Sequence, residues 1–208
     1  LGNLDWGPVA GGYLAAILMA SAYAAIGLFV SSRTDNQIVA LITTVLLGGV
    51  FYLVGTRGVT DFFGGTISEI LWAIGTGSRF ESIERGVIDL RDLIYYLSLA
   101  SAFLLFNTIS VDSIRWSKKQ KKYRESMLFT TVLITLNLIL LNAWLYPLQG
   151  LRVDMTEQKE YTLSQASLDL LDSIQEPLVI RAFISEKTHP LLQPLVPQIS
   201  DLLREYEI

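Results

Sequence analysis

The sequence has no cysteine and a single histidine, His189, in 208 residues. The first absence excludes disulfides and thiolate metal sites, and the second leaves too little imidazole for a histidine-based metal centre. His189 stands before a proline, as a loop residue does, without partners that would make it a base or a ligand. Charge is also scarce. Asp, Glu, Lys and Arg make up 17% of the chain, against roughly 25% in an average soluble domain. A large part of the surface must therefore face something other than water. The net charge of −4 carries no electrostatic footprint for nucleic acid. A Gly-x-x-x-x-Gly-Lys-Ser/Thr phosphate loop is missing, as are a Gly-x-Ser-x-Gly elbow and a His-Glu-x-x-His pair. The pairs Gly48-Gly49 and Gly64-Gly65 lack the lysine that a phosphate loop needs.

Against these absences stand four long runs without a charged residue, at 8–32, 36–56, 93–111 and 126–151. A helix crosses the hydrocarbon core with about 20 apolar residues. A charge placed there costs about 2.5–3.5 kcal/mol even on lenient scales. The alternative, four buried helices of a soluble protein, fails on size, because the remaining residues could not cover them. The first run is rich in Gly and Ala, which lets helices approach closely on more than one side. The fourth is bulky and Leu-rich, with Trp144 and Tyr146 as interfacial anchors, and is expected to face lipid. No span holds a charge that could relay protons or bind an ion, which weakens an ion-coupled transporter reading. Ser98, Ser101, Asn107, Thr108, Asn137 and Asn142 are polar groups expected to bond to a neighbouring helix or to their own.

Between the third and fourth runs, residues 115–125 hold Arg115, Lys118, Lys119, Lys121, Lys122 and Arg124. Short basic loops stay in the cytoplasm, and such a cluster also suits anionic lipid. Alternation then puts residues 33–35 inside, and residues 57–92 and everything after residue 151 outside.

The 57–92 connection reads as two short amphipathic helices. Thr66-Ile67-Ser68-Glu69 fits a capping box, followed by Ile70, Leu71 and Ile74, with Gly75 and Gly77 as the stop. A second helix is expected from Ser78, with Phe80, Ile83, Val87 and Leu90 on one face and Glu81 and Arg85 paired four apart. These helices either cap the bundle or gate a path through it. The gate candidates are Phe80, Ile83, Arg85, Val87, Asp89 and Arg91.

After residue 151 the pattern changes. Ser164 is a helix N-cap with Leu168, Leu171 and Ile174 following, residues 178–184 suit a buried parallel strand, and residues 195–206 suit another amphipathic helix. Helix, strand and helix in this order open an α/β domain. The expected fold is thus an all-α membrane protein of four transmembrane helices with short interfacial helices, followed by the start of an extracytoplasmic α/β domain. Its expected parts are residues 1–114, 115–125, 126–151 and 152–208. The chain starts at Leu1 and stops at Ile208 within a helical pattern, so a piece of a longer protein is expected.

The stretches Gly11-Gly12-Tyr13-Leu14, Ala25-Ile26-Gly27-Leu28-Phe29-Val30-Ser31-Ser32 and Arg33-Thr34-Asp35-Asn36-Gln37-Ile38-Val39-Ala40 resemble the C-terminal half of a type-2 ABC transporter permease of the gliding-motility (Gld) branch. Phe80-Glu81-Ser82-Ile83, residues 85–92 and Tyr95-Tyr96 resemble the external segment before the last permease helix. Members of that branch often carry a His just before the Phe, where Arg79 stands here. From Asp154-Met155-Thr156-Glu157 through Lys159, Tyr161-Thr162-Leu163-Ser164 and the strand from Leu178, the chain resembles the start of the auxiliary Gld subunit. The resemblance implies a fusion of permease and auxiliary subunit in the bacterial inner membrane. It further implies a second permease copy or homologue, and a separate ATP-binding subunit that holds ATP and Mg and performs any hydrolysis. No cofactor is expected on this chain. A non-transporting scaffold that binds a cell-envelope partner is the alternative, and an external membrane enzyme is a weaker third.

Overall fold

The computed structural model describes residues 5–63, 65–115, 121–148, 151–159 and 161–162, with isolated positions beyond. The chain is mostly helical, and four helices are long and apolar enough to cross a membrane. These are α1 (Trp6–Ser31), α2 (Gln37–Val54), α6 (Leu90–Arg115) and α7 (Lys121–Leu145). Between α2 and α6 come α3 (Arg57–Phe63), α4 (Gly65–Ile74), α5 (Thr76–Glu84) and the short strand β1 (Val87–Asp89). After α7, β2 (Arg152–Asp154) pairs antiparallel with β1, with Val87 opposite Asp154 and Asp89 opposite Arg152.

The long helices alternate in direction. The Ser110 hydroxyl donates to the Ser32 carbonyl, which brings the α1–α2 turn to the same end as the close of α6. The other end, called outer because it lies opposite the basic stretch, holds α5, β1 and β2. Large apolar side chains such as Leu41, Val45 and Leu46 of α2, and Phe129, Val132 and Ile139 of α7, are exposed. Soluble monomers do not carry contiguous apolar belts of this kind. The protein is a multi-pass membrane protein.

Helix α1 lies at the centre and packs on α2, α5, α6 and β1. Its small residues make this possible: Ala15, Ala22 and Ala25 are buried at the helix contacts, as the composition suggested. Asp5 starts the helix by accepting the Gly7 amide at 2.8 Å, and Asn36 does the same for α2 with the Ile38 and Val39 amides. Phe29, Phe103 and Phe106 pack together in the inner half, with ring centroids 5.9 Å apart, and Phe51, nearer the outer end of α2, meets Phe103 at 6.1 Å. Helix α7 is largely exposed and packs mainly on α6, in keeping with its Leu-rich sequence. Thr108, Asn137 and Asn142 bond back to carbonyls one turn earlier in their own helices.

Four boundaries differ from expectation. Helix α3 was not anticipated. Helix α4 begins at Gly65, so Thr66 lies inside the first turn and is not the cap of a capping box. The second amphipathic helix stops at Glu84, because Gly86 takes φ +87° and turns the chain into β1. Val87 therefore belongs to a strand and Leu90 to α6, not to one helical face with Phe80 and Ile83. Finally, α7 starts at Lys121, so the basic segment is partly helical and the fourth span ends at Leu145. The expected helix from Ser164, the strand at 178–184, the helix at 195–206 and His189 lie essentially outside the described residues.

Candidate functional site

The outer end is built around a helix break. With 26 and 18 residues, α1 and α2 rise about 39 and 27 Å at 1.5 Å per residue. Helix α2 thus stops short, and α5 fills the space beyond its end. It runs outward along α1: Thr76, at its start, reaches the Tyr23 side chain, and Ile83, near its end, sits at Gly11.

Glycine makes this approach possible. A Cβ on Gly75 would lie 2.0 Å from the Gly55 Cα, and one on Gly77 would lie 2.6 Å from the Tyr52 carbonyl oxygen. A Cβ on Gly11 would fall 2.2 Å from the Ile83 carbonyl oxygen. These neighbours are backbone atoms, with no flexible end that could move aside. Gly75 does end α4, as expected, but Gly77 lies in the first turn of α5, which starts at Thr76 and not at the expected Ser78, and both glycines serve close approach to α2.

A helix that ends inside the bundle leaves its last four carbonyls without intrahelical donors. Within a membrane each must find one inside the protein. Helix α4 meets this demand in full. The Gly75 amide donates to the Leu71 carbonyl at 2.9 Å, and the Ser78 hydroxyl lies 2.9 Å from the Trp72 carbonyl. The Arg79 guanidinium donates to the Ala73 carbonyl at 2.9 Å, and the Tyr95 hydroxyl donates to the Ile74 carbonyl. The cation at this C-terminus also suits the helix dipole.

Arg79 is balanced by Asp92 of α6, with Nη1 and Oδ1 2.7 Å apart and side chains only 8% and 10% exposed. Its guanidinium lies 4.2 Å from the Tyr95 ring centroid, close enough for a cation–π contact. Nε is buried and unpartnered. One layer over, the Tyr23 and Thr76 hydroxyls are 2.7 Å apart, and Tyr96 donates to the Thr76 carbonyl at 2.8 Å. Sequence reading did not single out Arg79 and Asp92 as a pair. A search for uncharged runs puts both outside a span, since it cannot see a charge carried inward by a helix that does not cross.

The six gate candidates separate into three groups. Phe80 and Ile83 face the core with Ala15, Ala22 and Tyr96. Arg85 is paired with Glu81 at 3.7 Å, as the four-residue spacing suggested. Val87 and Asp89 lie on β1, where Asp89 caps α6 by accepting the Arg91 amide at 2.9 Å. Arg91 in turn pairs with Asp89 and donates to the Tyr146 carbonyl at 2.9 Å, which ties α6 to the end of α7. Of the basic set, Arg115 ends α6, Lys121 opens α7, and Lys122 and Arg124 are exposed in its first turn. Lys118 and Lys119 lie outside the described residues. No group of residues that could hold a metal ion is present among the described residues.

The third element of the outer end follows α7. Asp154 organises it, accepting the Thr156 amide at 2.9 Å and hydroxyl at 2.6 Å on one oxygen. Its other oxygen accepts the Tyr161 amide at 2.9 Å and the Thr162 hydroxyl at 3.0 Å. Burial by itself would raise this carboxyl, but the hydrogen bonds outweigh it and hold the group below its ordinary value. Residues 157–208 match the family described as a domain of unknown function (DUF7088). No curated protein and no solved structure matches the chain.

Proposed function

We propose that this chain is the membrane-spanning part of an ATP-driven ABC transporter, a permease half joined to an auxiliary extracytoplasmic domain, seated in the bacterial inner membrane. A separate subunit binds and hydrolyses ATP, and the spans convert its closure into movement of a substrate or into work on the envelope. A second permease copy or homologue completes the path. The single observation that carries this reading is α5, a helix that enters the outer end between α1, α2 and α6 without crossing. An element of this kind can open and close an outer mouth while the crossing helices stay in place. The sequence resemblance around Phe80-Glu81-Ser82-Ile83 falls on this same element. The basic residues from Arg115 to Arg124 support the orientation, with the outer end facing away from the cytoplasm.

The test is purification of the full-length protein from its native membrane. An ATP-binding subunit should copurify, and the complex in vesicles should hydrolyse ATP at a rate that changes when residues after 151 are removed. Purification without any nucleotide-binding partner, in several detergents, would overturn the reading. The second reading, a scaffold whose outer domain grips an envelope partner, is favoured by the firm attachment of residues 151–162 to the bundle. It gains if the intact complex binds that partner and no solute moves.

A further inference from the structure

Residues 151–159, 161 and 162 are tied to the outer end at several points. Strand β2 pairs with β1, and the pairing is flanked by the Met155 amide on the Gly86 carbonyl at 2.9 Å and the Leu90 amide on the Leu151 carbonyl at 3.1 Å. The start of α1 presses on the same segment: a Cβ on Gly7 would stand 2.3 Å from the Met155 carbonyl oxygen. Asp5 uses one carboxylate oxygen to cap α1 and the other to accept the Glu157 amide at 3.2 Å. Gly86, the turn after α5, is lodged against Gly7 and Pro8, where a Cβ would meet backbone at 2.9 Å.

Strand β1 has no slack on either side. Two residues separate it from α5, and α6 starts at the next residue after it. A displacement of β2 therefore passes directly to the end of α5 and the beginning of α6. A two-stranded ribbon is marginal by itself, so this one depends on the Asp154 turn and the glycine contacts that hold it. Helix α5 is short and does not span, so it can shift without drawing a charged end through lipid. The segment matched to the domain of unknown function begins at Glu157, directly at this joint.

We infer that residues 151–162 form a clasp through which the domain beyond residue 157 holds α5 seated in the bundle, and that loosening the clasp frees α5. This conformational device is independent of whether the chain transports anything. Because these 208 residues contain no cysteine, a disulfide introduced in the clasp meets no competing thiol among them. Ile88 and Val153 are opposite each other in the ribbon, and directly opposed strand residues lie within disulfide reach.

Hydrogen exchange by mass spectrometry on the full-length protein, in vesicles, compares wild type, Asp154→Ala, and Asp154→Ala with Ile88→Cys and Val153→Cys oxidised. The inference expects the α5 amides to exchange at least tenfold faster in Asp154→Ala, while those of α1 residues 15–26 stay as in wild type. The disulfide should restore the α5 protection, and a reductant should remove it again. Unchanged α5 protection in Asp154→Ala would overturn the inference. So would parallel loss in α1 and α5 that the disulfide does not reverse, which would mark Asp154 as a general stability residue and the clasp as no lever.

Discussion

The inner and outer halves of this bundle solve the same problem by opposite means. The inner half is packed from phenylalanine rings, and polar groups such as Thr108 are satisfied within their own helix, with the Ser110 hydroxyl on the Ser32 carbonyl as a bond between helices. Little there depends on one partner in a distant part of the sequence. The outer half contains a broken helix, a buried ion pair, a strand pair and glycines in contact with backbone, and most of these join residues far apart in the chain. Helix crossing needs only apolar length, whereas a helix that ends inside the bundle requires every freed backbone group to be matched.

The comparison can be broken most severely at the glycines. Gly75→Val should be the most damaging single change, because its Cβ has only the Gly55 backbone to meet. Overpacking ordinarily costs about 1–3 kcal/mol where side chains can yield, and here they cannot. Little monodisperse protein is expected in size-exclusion chromatography. Gly49→Val, on a helix position with nothing within 4 Å, should purify as wild type. Equal behaviour of the two would mean that α5 does not sit against α2 as described.

Next comes the ion pair. Arg79→Met should destabilise by about 3–5 kcal/mol, since it leaves Asp92 buried and alone. The double variant Arg79→Met with Asp92→Leu should recover a large part of that loss, read as melting temperature in detergent. Recovery would be incomplete, because the Ala73 carbonyl keeps no donor from residue 79. A double variant as unstable as the single would show that the cap on α4, and not the charge balance, dominates.

How much of this was legible in the sequence follows the same division. The four spans could be read because a crossing helix must be continuous and uncharged, a demand that marks every residue in it. The end of α4 at Gly75 and the Glu81–Arg85 pair were also readable, as local features. The course of α5 was not. Its turn at Gly86, the role of Gly75 at Gly55 and the union of Arg79 with Asp92 depend on which distant backbone arrives alongside. Thr66 failed as a cap because the helix starts at Gly65, two residues before the start that a cap at Thr66 would set. The Asp154 turn was missed because aspartate followed two residues later by threonine is common, and only the amide and hydroxyl from residues 161 and 162 make it a hub.

Asp154 gives a pH test of the outer half. Its folded carboxyl lies below the ordinary value, so its contribution is complete above about pH 3.9, the unfolded value. The contribution is lost as the pH falls through the folded value. Wild type should therefore lose stability on acidification below about pH 3.9, and Asp154→Asn should lose less over the same interval because its contribution is already absent. At neutral pH Asp154→Asn should cost about 1–3 kcal/mol, the usual penalty when a buried acceptor set is left imperfect. Parallel acid curves for the two proteins would remove Asp154 as the responsible group.

The smallest expected effect lies in the inner-half pattern carried along α7. The Asn137 amide donates to the Leu133 carbonyl at 2.9 Å within its own helix, and its side chain is exposed on the bundle. That carbonyl already receives the regular helical bond, so removing the amide leaves no acceptor stranded. Interhelical polar bonds in membranes average only about 0.6 kcal/mol, and a bond within one helix should not exceed that. Asn137→Leu should leave the melting temperature in detergent unchanged or slightly raise it, through added apolar contact and a better helix former. A clear loss of stability, or a change in oligomeric state, would show that Asn137 reaches a second helix supplied by another subunit. The exposed face of α7 would then be an interface, and the division between a self-sufficient half and a cross-linked half would have to be drawn across subunits.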